Sequence, residues 1–457
     1  MGLGGLTEAR GVPEEFFAHH GSLSREFRDE AERRIKDGTR PAYIVCTTTL
    51  ELGIDVGHIE SVAQLGPGHT VSGMRQRLGR SGRRPGQSSV LRVYTKEREL
   101  DERMHPLDAL RRDTVQSVAM VRLMLEGWNE PPTEGRLHLS TLLHQVLALV
   151  AQHGGLTARQ GWNRLVGSGV FGEVGLNLFK AVLRRMADPK VGLLEQVEDG
   201  TLLPGPEGER VLAGRDIYAV FKAPKEYRVV TERGRALGSI SAEMLYVPDQ
   251  LVVLGGRRWR VVEVDPKRRE MVVAPARGGQ PPLFGGDPVP PTERVLQEMV
   301  EVWQEADVPR YLDATAGELL VEGRRSFERL GLRTGCACRH EGTLLLFPWV
   351  GPRVQNALLL SLAAYQLEPV SYGLAIGVPG ENAGRLRASL VAIGNEPPQD
   401  AVELARRVPD RRLDKFDDYL DDDLLALSYA SSNIDVAPIP RLARSLAARL
   451  QQGLLEW

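Results

Sequence analysis

Phe27, Ala31 and Ile35 fall four residues apart and predict a helix that Gly38 ends. Short apolar runs follow at Tyr43 to Cys46, Ser61 to Gln64 and Val90 to Tyr94; they read as buried-type strands, and the alternation suits a parallel α/β sheet. From Leu107 to Gly127 the apolar positions again have helical spacing, through Val115, Val118, Ala119, Leu123 and Met124, until Pro131 and Pro132 break the pattern. Three further helices are expected: one from Ser140 to Gln152, one starting at Thr157 and one carrying Leu176, Phe179, Val182, Leu183 and Met186. A hairpin turning at Asp199 and Gly200 completes a plausible winged helix-turn-helix. The period then changes. Between Ile217 and Ala276, short β-type runs alternate with Gly-rich turns, as in a small antiparallel sheet or barrel. A Gly/Pro-rich connector leads to a helix from Glu293 to about Glu305, a strand at Leu344 to Phe347, a helix from Val354 to Gln366 and a mostly helical end.

The expected fold is therefore multidomain α/β. Residues 1–104 make a partial RecA-like lobe, 105–214 a linker helix and winged helix, 215–290 a small β-barrel, and 291–457 a C-terminal α/β to mainly helical domain. The only stretch ahead of His19, Met1 to Phe17, looks like neither strand nor helix, so the first domain reads as truncated.

Composition narrows the classes. A hydrophobic content of 42%, a charged content of 26% and a net charge of −2 belong to a soluble globular chain. No apolar run approaches the roughly 20 residues that span a bilayer, and the Gly-rich start lacks a signal-peptide core, so no membrane partner and a cytoplasmic location are expected. Positive charge is local: Arg75, Arg77, Arg80, Arg83 and Arg84 occur without an acid among them, and Arg257, Arg258, Arg260, Lys267, Arg268, Arg269 and Arg277 form a second basic stretch. Cys336, Cys338 and His340 crowd three donors into five residues, which is poor geometry for a structural zinc, and no metal site is expected. Asp29-Glu30-Ala31-Glu32 imitates an acidic ATPase box, but it lies in a charged amphipathic helix with no apolar strand before it.

Two motifs carry chemistry. Cys46-Thr47-Thr48-Thr49-Leu50-Glu51-Leu52-Gly53-Ile54-Asp55 is a strand-to-helix turn whose hydroxyls and backbone N–H groups suit a phosphate, although a threonine run there is also an ordinary N-cap. Some twenty residues on, Gln76-Arg77-Leu78-Gly79-Arg80-Ser81-Gly82-Arg83 sets arginines between glycines. Guanidinium meets phosphate oxygens in a fixed fork, which suits it to a transferring phosphate better than lysine.

In order and spacing these motifs resemble motifs V and VI of the superfamily 2 nucleic-acid helicases. Gly127-Trp128-Asn129-Glu130-Pro131-Pro132, Leu137-His138-Leu139-Ser140-Thr141-Leu142, Gly256 to Val261, Pro275 to Gly279 and Phe347-Pro348-Trp349 make the chain similar to the Lhr (large helicase-related) type, from about Phe17 to near the C-terminus. The resemblance implies an ATP-dependent translocase on single-stranded DNA, with RNA or a DNA–RNA hybrid as alternative tracks, and a link to DNA repair. It implies that Gln76 meets the γ-phosphate or attacking water, that Arg80 and Arg83 are arginine fingers, that Arg77 is structural, and that Gly53 and Asp55 face the nucleotide. His20, Gly21, Arg25, Arg28, Thr47 and Thr48 would hold the nucleic-acid backbone; Arg25 stands where relatives often have glutamine. ATP and Mg2+ would be bound in an intact two-lobe enzyme and not by this chain alone, because the sequence has no Gly-Lys dipeptide and hence no Walker A lysine. A first RecA-like lobe, in cis or in trans, is therefore an expected partner. The alternative is a non-enzymatic nucleic-acid-binding or interaction protein that retains these motifs as relics. Trp259, between Arg258 and Arg260, is either a base-stacking residue with two phosphate-binding neighbours or a core residue of an alternating strand.

Overall fold

The computed structural model describes residues 16–19, 25–39, 41–46, 48–51, 57, 59–83, 86–101, 104–220, 226–234, 236–241, 246, 248, 250–254, 257–266, 268–276, 290–380, 383–450 and 455–456. Two compact units divide the chain: Met1–Pro131 with Arg294–Ser326, and Pro132–Glu293 with Phe327–Trp457. The segment 294–326, expected to open the C-terminal domain, thus packs with the N-terminal unit.

In that unit β1 (Phe16–His19) and β2 (Tyr43–Cys46) pair in parallel around α1 (Arg25–Asp37). Strand structure at Phe16 departs from the expectation for the start of the chain. A second parallel pair joins β3 (Val62–Leu65) to β4 (Leu91–Tyr94), with α2 (Val71–Leu78) between them in sequence. The expected buried-type character fails at β2: Tyr43 is 55% and Val45 48% exposed, because no described element covers that face. The single helix expected from Leu107 to Gly127 is also broken. Arg111, with φ 51°, separates α3 (Pro106–Ala109) from α4 (Arg112–Leu125), and its buried guanidinium binds Glu322 Oε2 through Nε (3.0 Å) and Nη2 (2.7 Å). Ion pairing to a distant residue therefore stabilises a backbone conformation that arginine rarely adopts. Glu322 lies on α10 (Ala314–Arg329), which follows α9 (Glu293–Gln304). The buried Trp303 of α9 donates from Nε1 to Leu110 O at 3.0 Å, and Arg122 of α4 binds Glu305 at 2.9 Å.

The second unit begins with α5 (Leu139–His153), α6 (Ala158–Leu165) and α7 (Leu176–Met186), beside a small antiparallel sheet in the order β5 (Leu156–Thr157), β7 (Thr201–Pro204), β6 (Leu194–Gln196). Thr157 and Gln160 form a reciprocal capping box at the start of α6. Next comes a five-stranded sheet: β8 (Glu226–Thr231), β9 (Ala236–Ser241), β10 (Leu251–Leu254), β11 (Arg257–Asp265) and β12 (Glu270–Pro275), in the order β10-β11-β12-β8-β9. It is not wholly antiparallel as expected, since β12 and β8 run in parallel where a three-stranded meander meets a hairpin. The described pairings run from one edge strand to the other without joining them.

The C-terminal part holds a mixed sheet, β15 (Val370–Ser371), β16 (Ile376–Pro379), β14 (Thr343–Leu346), β13 (Ala337–His340) and β17 (Leu455–Glu456), in that order. Its core includes Leu346, Leu358, Ile376, Leu390 and Leu446, drawn from this sheet and from helices Pro352–Ala364, Ala383–Asn395 and Ile439–Arg449. Cys336 and Cys338 are buried; burial pushes their thiols up to about 11 and about 12, so they behave as packing groups. No helix among the described residues is long and apolar enough to cross a membrane.

Candidate nucleotide and nucleic-acid site

Helix α2 carries the start of the arginine-rich motif, and its ends are fixed by residues from elsewhere. Thr70 caps it by accepting from Gly73 N at 3.0 Å. Glu130 reaches back from the linker: Oε1 accepts from Val71 N at 2.6 Å, and Oε2 accepts from Ser72 N at 2.9 Å and from the Ser72 hydroxyl at 2.7 Å. A carboxylate at a helix N-terminus satisfies orphan N–H groups and opposes the positive end of the dipole. Burial alone would raise the Glu130 carboxyl, but the hydrogen bonds from Ser72 and Val71 outweigh it and hold the group below its ordinary value.

Removing that carboxylate as Glu130→Ala is expected to cost about 2 kcal/mol at neutral pH, the scale of a hydrogen bond to a charged group. Because the folded group has the lowered pKa, its contribution is present above the ordinary glutamate range and is lost as pH falls through the folded value. Urea titrations of both chains at pH 7 and below pH 4 check this: the difference should shrink in acid.

Beyond α2 the chain turns sharply. Ser81 is buried; its hydroxyl donates to Leu78 O and Val90 O and accepts from Val90 N at 2.8 Å. Gly82, at φ 66°, leaves no room for a side chain, since a Cβ would lie 2.5 Å from Ser89 N. These contacts fix where the arginines emerge. Gln76 and Arg83 are exposed and Arg80 is half-buried. Arg83 donates from Nε to Gly79 O at 3.1 Å, and Arg80 donates from Nε (3.1 Å) and Nη2 (2.5 Å) to the carbonyl of Glu51. Arg77 turns inward, binding Gln64 Oε1 on β3 at 2.6 Å and Glu51 Oε2 at 3.3 Å. The two motifs are thus in direct contact through Glu51, which sequence reasoning passed over.

Of the other expected residues, Thr48 is exposed in a short turn, Thr48–Leu50, after β2. His20, Gly21, Thr47, Gly53 and Asp55, and the side chains of Arg25, Arg28 and Arg258, lie outside the described residues. Asp29 to Glu32 lie within α1, where Glu30 pairs with Arg33 and Arg34 and Glu32 meets His19 at 3.2 Å, as on an ordinary charged helix face.

Trp259 requires a correction. It is 8% exposed and belongs to the core of the five-stranded sheet with Tyr227, Val229, Val252, Met271 and Val273. Alternation along β11 turns it inward while Arg260 faces solvent, so its ring is not offered to a base. A basic face that the sequence reading missed lies instead on α7, where Phe179, Val182, Leu183 and Met186 are buried and Asn177, Lys180 and Arg184 are exposed along the opposite side. Its signal was the period of the same helix, read from the polar side.

Similarity to known proteins agrees with this geometry. Residues 6–85 match the helicase conserved C-terminal domain. The Lhr helicase of Mycolicibacterium smegmatis is 26% identical over 354 residues, covering 73% of this chain and 21% of that protein. The Lhr helicase/uracil glycosylase of Escherichia coli is 26% identical over 288 residues, covering 59% and 18%. An ATP-dependent helicase Lhr-Core of Methanothermobacter thermautotrophicus is 46% identical over 82 residues, covering 18% and 9%. This chain therefore spans about a fifth or less of the length of these relatives. The structure of Mycobacterium smegmatis helicase Lhr bound to ssDNA and AMP-PNP superposes with a TM-score of 0.60 at 20% identity, covering 100% of this chain and 62% of that one, and so shares its fold.

Residues 6–85 thus form a helicase conserved C-terminal domain, set in a mixed α/β multidomain fold of the kind seen in Lhr. Beyond that domain the chain is similar in sequence to the Lhr helicases and resembles a portion of them.

Proposed function

We propose that this chain supplies the second-lobe ATP-handling residues and much of the track of an ATP-dependent translocase that moves on single-stranded DNA and serves DNA repair. The observation that carries the reading is the contact of motif VI with motif V: Arg80 and Arg77 meet at Glu51, while Gln76 and Arg83 stay exposed beside them. Exposed donors clustered on one turn, with the Glu51 carboxylate turned to Arg77, fit a triphosphate. ATP, with Mg2+ held by a first RecA-like lobe, would supply the phosphoryl group; Arg80 and Arg83 would act on its developing charge and Gln76 would orient the attacking water. Gly53 and Asp55 take the nucleotide side of the motif V turn. Thr47, Thr48, His20, Gly21, Arg25 and Arg28 take the nucleic-acid backbone.

Helices α5 to α7 with their three-stranded sheet read as a winged helix, whose third helix presents Lys180 and Arg184 to phosphates. The five-stranded sheet reads as a half-barrel whose exposed Arg260, with Arg258, adds positive charge along the same strand. Binding of a fluorescent oligo-dT strand is expected to be sequence-tolerant and to weaken steeply with salt. Replacing both Lys180 and Arg184 with alanine should reduce the magnitude of the log–log salt slope by about 1–2 while leaving stability unchanged. A chain that binds no single strand at low salt would overturn the track; an unchanged slope would remove α7 from it.

A further inference from the structure

Glu51 is the point at which three elements of the N-terminal unit meet. Its carboxylate is mostly buried, pairs with Arg77 Nη2 at 3.3 Å, and packs so close to α2 that a Cβ on Gly73 would lie 3.0 Å from Oε1. Arg77 in turn donates to Gln64 on β3 at 2.6 Å. The main chain of Glu51 is held from the other side, its N–H donating to Thr48 O at 3.0 Å. Its carbonyl, so fixed, accepts two hydrogen bonds from Arg80, from Nε at 3.1 Å and Nη2 at 2.5 Å. One residue thus has its side chain tied to one arginine of the motif and its backbone to the next.

The geometry points to Glu51 as a positioning residue for Arg80: the Glu51–Arg77 ion pair fixes the carbonyl on which the Arg80 guanidinium is held. This deepens the helicase reading and rests on Arg80 being the phosphate-directed arginine. The ion pair is only partly exposed, so its attraction is screened less than that of a surface pair. A guanidinium held in one orientation has lost its rotamer freedom before any phosphate arrives, which is how a planar, multi-donor group is pre-organised. Glu51 also follows Thr48 in the motif V turn, so a ligand that shifts this turn moves the acceptor of Arg80 directly. No longer path is needed.

The full chain, without nucleotide or DNA, is sufficient for the test. Exchange of the Arg80 Nε–H with solvent, followed by NMR on arginine-labelled protein, should be roughly tenfold slower than that of the exposed Arg184, as for a hydrogen-bonded group. Glu51→Ala and Arg77→Ala should each bring Arg80 to the Arg184 rate, whereas Arg77→Lys, which keeps the charge opposite Glu51, should leave it slow. Fast exchange in the unaltered chain overturns the proposal. So does slow exchange in either alanine variant, or an Arg77→Lys chain as fast as Arg77→Ala. If one alanine variant fails to fold, the other decides. A merely structural ion pair would lower the melting temperature without changing this one N–H. Loss of DNA binding or ATP turnover would instead count against the helicase reading and leave this result untouched.

Discussion

Arg80→Ala, assayed with a first RecA-like lobe supplied alongside the chain, is expected to hydrolyse ATP with a kcat on the order of a thousandfold below the unaltered pair, with little change in affinity for single-stranded DNA. The size follows from the role. A finger acts on charge that develops as the phosphoryl group transfers, so its removal leaves ground-state binding nearly intact. Arg83→Ala should behave similarly, being the next arginine on the same exposed turn and held by the carbonyl of Gly79. Arg77→Ala should differ in kind, because its partners are Gln64 and Glu51 and its loss should lower stability as well as rate. Single-turnover hydrolysis and fluorescence anisotropy on the same preparations separate these outcomes. Equal losses of DNA affinity and rate in Arg80→Ala would place that residue on the track. Turnover by the chain with no first lobe present, lost in Arg80→Ala, would show that no second phosphate cradle is required.

Trp259→Ala should destabilise the second unit by about 3–5 kcal/mol, the range for a large aromatic removed from a packed core. The ring lies among Tyr227, Val229, Val252, Met271 and Val273, so its removal leaves a cavity in that core. Calorimetry on the variant should show an early transition. Any weakening of single-strand binding should accompany that loss of structure. A base-stacking tryptophan would give the opposite pattern: affinity lower by about 1–3 kcal/mol and an unchanged melting temperature.

Legibility in the sequence followed the range of the interactions. The helix Arg25–Asp37, the strand Tyr43–Cys46 and the helix Leu176–Met186 were readable because their spacing is local. The break at Arg111 was not, since it depends on Glu322, which is far away in the chain. Helix Ala314–Arg329 was hidden by its glycines. Gly323 is there because a Cβ would sit 2.8 Å from Leu110 O, a packing reason that composition does not display. Within the site, Gln76, Arg80 and Arg83 stood out through their motif, whereas Glu130 and Glu51 act through partners remote in sequence and carried no local mark. Trp259 was placed in the right strand but on two candidate faces, and only the pairing of β11 with its neighbours decides between them.

Segment 294–326 belongs to the N-terminal unit although the whole region from Pro132 to Glu293 intervenes. On the ribosome, that unit must wait for its final two helices while about 160 residues of the other unit are made, about 8–32 s at ordinary synthesis rates. During this interval Leu110 O lacks Trp303, and the guanidinium of Arg111 lacks Glu322. The nascent chain therefore passes through a stage at which its N-terminal unit is incomplete while the helices and small sheet that follow it can already close. Any fragment cut after Pro131 would be arrested at that stage, and chaperone demand during synthesis should fall on the first third of the chain.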